Sequence, residues 1–385
     1  MSTALDYIKE YGDKSFEEMP FGNVDNIILC NLFYMPFDKV VPPSMNPIPF
    51  GEMCEKMFAY NGHKHIAPAL MLRKEISVMM MEAAKSKRFS EMKAYALETA
   101  FEREPAVQFA AITYLLPDGT TVIVFRGTDD TFVGWKEDLD LYTRKGIPSH
   151  QLAVEYINRI APQFDGKIRI CGHSKGGNVA LYGALNCDKK IRERFIGIYN
   201  NDGPGFVNDS FMYTRAYQDI RPSYHHFVPT SSFIGMLLFH DDDYIAVKNK
   251  HLIGMIQHDL GFWKTNGPDL DVRSDVNMLA KITDQFLKTF IYRVGDEQGS
   301  LIDSFAGELI ENSDLVNLSQ LAMHPLHEAR QIVSMYKVAD DTTHEALVNF
   351  VDGFGKIVVA STKSVMEVAG PAFEKGSKIL SKVFG

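Results

Sequence analysis

Two apolar, partly β-branched runs, 107–116 and 120–125, flank Pro117-Asp118-Gly119. That pattern predicts a β-hairpin. From 151 to 164 the apolar positions 152, 156, 157, 160 and 164 follow a helical period, and Asp165-Gly166 ends the run. A short strand over 167–171, a second helix over about 176–187 and a strand over 195–199 follow. The strand–helix–strand succession predicts a mostly parallel sheet with helices on both faces, an α/β fold.

The flanks have a different texture. The first hundred residues read as mostly helical, broken at Val41-Pro42-Pro43-Ser44-Met45-Asn46-Pro47. The stretch 74–103 is dense in helix formers, among them Met79, Met80, Met81, Ala83, Ala84, Met92, Ala94, Ala96 and Leu97. After Arg273 one apolar stripe (Val276, Leu279, Ile282, Phe286, Leu287, Phe290, Ile291) follows Ser274 as a prospective N-cap. Pro325 is placed to open another helix, and Thr342 with Glu345 has the spacing of a capping box. With 385 residues, the expected organisation is a helical N-terminal extension over 1–105 packed on the core, a core over 106–272, and a helical C-terminal region over 273–385.

Composition narrows the function. A formal net charge of −9 argues against a general nucleic-acid surface. The first ten residues carry charges where a signal peptide is apolar, and no apolar run is long enough to cross a bilayer. The expectation is a cytoplasmic protein with no stable membrane insertion. Cys30, Cys54, Cys171 and Cys187 are scattered with no C-x-x-C pair, which favours reduced thiols over disulfides or a zinc site. His240-Asp241-Asp242-Asp243 and His63-x-His65 lack the ligand spacing of a metal centre, and no phosphate-binding Gly-x-x-x-x-Gly-Lys-Ser/Thr run occurs. No metal or cofactor is expected.

One segment carries chemistry. Cys171-Gly172-His173-Ser174-Lys175-Gly176-Gly177-Asn178 contains Gly-x-Ser-x-Gly between a predicted strand and a predicted helix. This is the nucleophile-elbow spacing: a sharp turn lifts the serine hydroxyl above the sheet, and small residues on either side let strand and helix approach. The helix N-terminus behind it offers a positive dipole and free N–H groups to a developing oxyanion. Ser174 is therefore the candidate nucleophile.

A second segment, Ile123-Val124-Phe125-Arg126-Gly127-Thr128, followed by Trp135-Lys136-Glu137-Asp138-Leu139, resembles the class 3 lipases. The resemblance extends through Tyr199-Asn200-Asn201-Asp202-Gly203-Pro204-Gly205-Phe206, Val228-Pro229-Thr230-Ser231-Ser232 and Gln257-His258-Asp259, and is nearest to a bacterial Mbeg-like branch. It covers roughly 109–263. It implies an α/β-hydrolase core and an oxyanion hole built from Thr128 and the backbone N–H of Lys175.

A serine nucleophile needs a base, and the base needs an orienting group. His258 lies after the last plausible core strand and matches the family's late histidine, with His240 and His251 as competitors. His173 is set aside because the residue before an elbow nucleophile usually points inward. The acid departs from the pattern. Laying the family's order on this chain puts Ser232, or its neighbour Ser231, where an aspartate is expected. Asp242, with Asp241 and Asp243 beside it, is the nearest substitute, and Asp202 and Asp219 are further options. Asp259 adjoins His258 in sequence, a placement that rarely allows pairing.

Two functions compete at this point. The first is a serine hydrolase acting on carboxylic esters, small or acyl-lipid, through an acyl-enzyme on Ser174. The segment after Thr128 is short and half charged, which argues against a large apolar lid. The second is a catalytically weak or inactive hydrolase fold serving as a binding or scaffold module, favoured by the missing aspartate at 232 and by the long helical flanks.

Overall fold

The computed structural model describes residues 2–60 and 75–281, apart from 130, 144, 145, 233, 242, 252, 253, 278 and 279, together with the single positions 301, 342 and 345. Helices α1 (Ala4–Tyr11) and α2 (Asn23–Leu32) precede a two-residue strand β1 (Ile48–Pro49) and helix α3 (Phe50–Tyr60). Helices α4 (Glu75–Lys85) and α5 (Lys87–Ser90) lead into the long strands β2 (Lys93–Glu102) and β3 (Val107–Leu115), then β4 (Thr121–Phe125). Next come α6 (Phe132–Thr143), α7 (Pro148–Ile160), β5 (Ile168–His173), α8 (Lys175–Asn186), α9 (Lys189–Arg192) and β6 (Phe195–Asn201). The described chain ends with α10 (Arg215–Ile220), β7 (Tyr224–Pro229), β8 (Tyr244–Val247), α11 (Gly254–Gln257) and the short strands β9 (Thr265–Asn266), β10 (Asp269–Leu270) and β11 (Val272–Arg273).

One nine-stranded sheet runs in the order β1-β2-β3-β4-β5-β6-β7-β8-β11. Its middle, β4 through β8, is parallel, and both margins are antiparallel. The predicted hairpin is β3–β4, paired from Leu115 with Thr121 to Ala111 with Phe125. The fold is α/β, as the strand–helix alternation predicts.

Alternation along the strands assigns the two faces. Ile123, Phe125, Ile168, Ile170 and Ile198 are buried with Tyr156 and Ile157 of α7, Val179 and Ala180 of α8 and Tyr217 of α10. Val122, Val124, Cys171, Tyr199 and Phe227 are buried on the other side with Ile8 of α1, Ile28 and Leu32 of α2 and Met80 of α4. Both faces are therefore covered, which is why β4 reads as a nearly continuous apolar run.

The stretch 93–102 differs from the expectation. It is strand β2 rather than the end of a helix, paired with β3 along its length with an irregularity between Tyr95 and Glu98. Ala94, Ala96 and Leu97 are good helix formers, but an available edge on β3 outweighs a propensity difference of a few tenths of a kcal/mol per residue. The N-terminal hundred residues thus contribute strands β1 and β2 to the same sheet as the core. Of the apolar stripe expected after Arg273, Val276 is described; Leu279 and the positions from Ile282 to Ile291, with His63, His65 and Pro325, lie outside the described residues.

Helix α2 is buried from Val24 to Leu32, including the polar Asp25, Asn26 and Asn31. Burying these groups is costly unless each is bonded. Asp25 accepts from the Arg88 guanidinium (Nε at 2.7 Å), from the Tyr7 hydroxyl and from the Gly22 N–H at the helix start. Arg88 also donates to the carbonyls of Met19 and Pro20, and its guanidinium lies 4.2 Å from the centre of the Phe16 ring. This clamp ties α2 to α5, to α1 and to the connection over 16–22.

Candidate active site

Ser174 follows the last residue of β5 and precedes the first of α8, with φ 58° and ψ −133°. A non-glycine residue in this region carries strain of order 1–3 kcal/mol that the surroundings must offset. The flanking glycines make the turn possible. A Cβ on Gly172 would lie 2.0 Å from the Gly176 carbonyl oxygen, and one on Gly176 would lie 2.3 Å from that of Phe125. The elbow predicted from Gly-x-Ser-x-Gly is present in the backbone. Among the described residues the Ser174 hydroxyl takes no hydrogen bond, from His258 or any other group. Such contacts often close only when substrate is bound.

The end of β4 approaches the elbow closely. A Cβ on Gly127 would stand 3.1 Å from that of Ser174 and 2.4 Å from the His173 carbonyl oxygen, so only glycine fits there. Thr128 follows, and its hydroxyl donates to Asp138 Oδ2 at 2.7 Å, which fixes the side chain. The Lys175 N–H lies in the first turn of α8, where no intrahelical acceptor exists. Its ammonium is buried and donates to Glu137 Oε2 at 2.6 Å and to the Gln108 carbonyl at 2.8 Å. Glu137 in turn accepts from the Gln108 and Ser149 N–H groups. The Trp-x-x-Asp-Leu run of α6 is thus a support for the elbow: Glu137 holds Lys175 and Asp138 holds Thr128.

Burial pushes the Asp138 carboxyl up to about 6, against the Lys175 charge, the Thr128 hydroxyl and His258, which all favour the ionised form. Its folded value lies above the unfolded one near 3.9. Holding it ionised therefore costs stability at pH above about 6, and that cost disappears as the pH falls toward 4. Asp138→Asn is expected to raise the melting temperature at pH 8. The advantage over the unsubstituted protein should shrink by on the order of 1 kcal/mol as the pH is lowered through 6 to 4. A thermal-unfolding series in which the two proteins stay parallel across that range would contradict this.

His258 Nδ1 lies 2.8 Å from Asp202 Oδ2. The carboxylate side chain is 1% exposed and the imidazole 13%. Asp202 follows β6 directly, at φ 52°, with its N–H bonded to the Phe227 carbonyl. Its other oxygen accepts from the Ser232 hydroxyl and, at 3.0 Å, from the Gly235 N–H. The carboxylate facing the histidine is therefore Asp202, and Ser232, at the expected acid position, stands behind it as a donor. His258 thus meets Asp202, one of the further options, and not Ser232. The physical reason is sheet order: β6 is the immediate neighbour of β5, so its carboxyl end comes closer to the elbow than that of β7.

The other described candidates are occupied elsewhere. Asp242 lies outside the described residues. Asp241 accepts from Tyr217 and Arg221, Asp243 from Arg221, and Asp219 from Arg215. His240 bonds the Asp241 carbonyl, and the His251 ring packs edge-on against Phe262. Asp259 caps the turn after His258 by accepting from the Gly261 N–H. Gln257 ties that turn down: its side chain accepts from the Ser231 N–H and its carbonyl from Asn249 and Trp263.

Helix α2 reaches the site from beneath. Asn26 and Asn201 exchange amide hydrogen bonds of 2.8 and 3.0 Å, and the Asn201 carbonyl accepts from the Ser174 N–H. Tyr34, just beyond α2, meets His173 Nδ1 at 2.8 Å, while His173 Nε2 meets the His258 carbonyl at 2.8 Å. The two imidazole rings are 4.4 Å apart. Neither Asn26 nor Tyr34 has a motif around it, so no local pattern in the sequence marks them.

The family model described as Mbeg1-like matches residues 83–305. The chain belongs to the Mbeg1-like family. The matched stretch begins at the end of α4 and contains the elbow, Thr128, Asp202 and His258; α1, α2 and α3 precede it. A search of curated proteins found no match. Membership in the Mbeg1-like family accords with a lipase-like hydrolase at most. Among the described residues of this family member, no helix is long and apolar enough to cross a membrane.

Proposed function

We propose that this Mbeg1-like chain is a serine hydrolase with a class 3 lipase-like α/β-hydrolase core, cleaving carboxylic esters through an acyl-enzyme on Ser174. The observation that carries the reading is the pairing of His258 with the buried Asp202 carboxylate beside an elbow whose serine has positive φ.

His258 Nε2 takes the hydroxyl proton as Ser174 Oγ bonds to the ester carbonyl carbon. Asp202 keeps the Nδ1–H tautomer and balances the imidazolium charge. The carbonyl oxygen becomes an oxyanion facing the Lys175 N–H and Thr128, which Asp138 holds in place. Collapse breaks the bond to the alkoxy oxygen, and the imidazolium returns its proton to the departing alcohol. Water then attacks the acyl-serine by the same steps, releasing the acid and restoring Ser174. The chemistry uses no cofactor. The scaffold alternative leaned on the missing aspartate at 232 and on the helical flanks; the Asp202–His258 contact supports the catalytic reading over it.

Labelling with a fluorophosphonate tests the reading. The native chain is expected to react, lose the label on heating first, and carry it on the peptide containing Ser174. No labelling under conditions where a known serine hydrolase reacts would sink the proposal.

A further inference from the structure

We propose that α2 and the turn after it form a positioning wall of the active site, in which Tyr34 acts through His173 to set the main chain of His258. This rests on the serine-hydrolase reading above.

The direction of the hydrogen bonds is fixed by chemistry. The His258 carbonyl can only accept, so His173 Nε2 carries the proton. His173 Nδ1 is then an acceptor, and the Tyr34 hydroxyl must donate to it. Burial, with the His258 charge beside it, holds His173 well below the ordinary histidine range, so its ring stays neutral. That neutrality suits its place. When His258 gains the proton of Ser174, a second charged ring 4.4 Å away would oppose it.

Two anchors then act on His258. Asp202 holds the ring at Nδ1, and His173 holds the main chain at the carbonyl. One alone would let the imidazole pivot; together they fix the direction of Nε2. Tyr34 is also wedged into the oxyanion side, since a Cβ on Gly127 would come within 2.3 Å of its hydroxyl oxygen. From the same helix Asn26 supports Asn201, which holds the Ser174 N–H and precedes Asp202. The N-terminal segment, ahead of the stretch matched to the family, is therefore part of the working site.

The test uses the full chain with Tyr34→Phe, His173→Leu and His173→Gln. An ester substrate supplies kcat and KM, and amide hydrogen exchange is followed over 256–262. Tyr34→Phe should lower kcat about tenfold with KM unchanged and speed exchange in that turn, the scale of one lost hydrogen bond. His173→Leu should lower kcat further. His173→Gln, whose amide can donate to the same carbonyl, should recover most of the loss. Unchanged kcat in Tyr34→Phe overturns the proposal, whether or not exchange quickens; so does a His173→Gln no better than His173→Leu. If His173→Leu does not fold, Tyr34→Phe, which removes one oxygen, decides. Failure of the wild type to label with a fluorophosphonate would sink the hydrolase reading itself, a distinguishable result.

Discussion

Asp202→Asn is expected to lower turnover about 10⁴-fold, and Ser232→Ala only on the order of tenfold. Three donors converge on Asp202: the His258 ring, the Ser232 hydroxyl and the Gly235 N–H. A carboxylate accepts all three. A carboxamide has one oxygen, and the Gly235 N–H cannot turn away from it. The amide nitrogen of Asn would then face His258 and force Nδ1 to accept. The ring would carry its proton on Nε2, facing Ser174, and could not serve as a base. Ser232→Ala removes one donor and leaves both the charge and the tautomer intact. Steady-state kinetics on any hydrolysed ester separates the two positions. Comparable losses in the two variants, or a loss within tenfold for Asp202→Asn, would refute the assignment of the acid.

The largest expected effect on stability is at Arg88. Both partners of the Arg88–Asp25 pair are fully buried. Arg88→Met leaves the Asp25 carboxylate without its counter-charge and strips donors from the Met19 and Pro20 carbonyls. A loss of about 3–5 kcal/mol in denaturant unfolding is expected. Adding Asp25→Leu should recover part of it, because the stranded charge is then gone, but not the part due to the carbonyls. A loss below about 1 kcal/mol for Arg88→Met would contradict this account. Arg88→Lys is expected to fare poorly too, since an ammonium cannot reproduce the two-pronged contact. Because α2 also carries Asn26 and leads into Tyr34, activity should fall at temperatures below global unfolding.

Much of the central architecture was legible because periodicity is a local property. The hairpin at 107–125, helices α7 and α8 and strands β5 and β6 follow from runs of apolar residues that each element buries on its own. The elbow was legible from the Gly-x-Ser-x-Gly spacing alone, although only Gly172 answers to a contact within a few residues; Gly176 answers to the Phe125 carbonyl at the end of β4. Strand β2 was not, because Ala94, Ala96 and Leu97 suit either state and only the β3 edge selects one.

The sequence by itself determined an α/β chain with Ser174 on a strand-to-helix turn, and offered His258 as its partner. The tertiary structure decided which carboxylate meets His258. Asp202 and His258 are 56 positions apart, and their pairing depends on β6 lying beside β5. It also decided that α2, Tyr34 and His173 surround the site. Such contacts are set by which elements are adjacent in the sheet and which helix covers which face, and no spacing along the chain encodes that order.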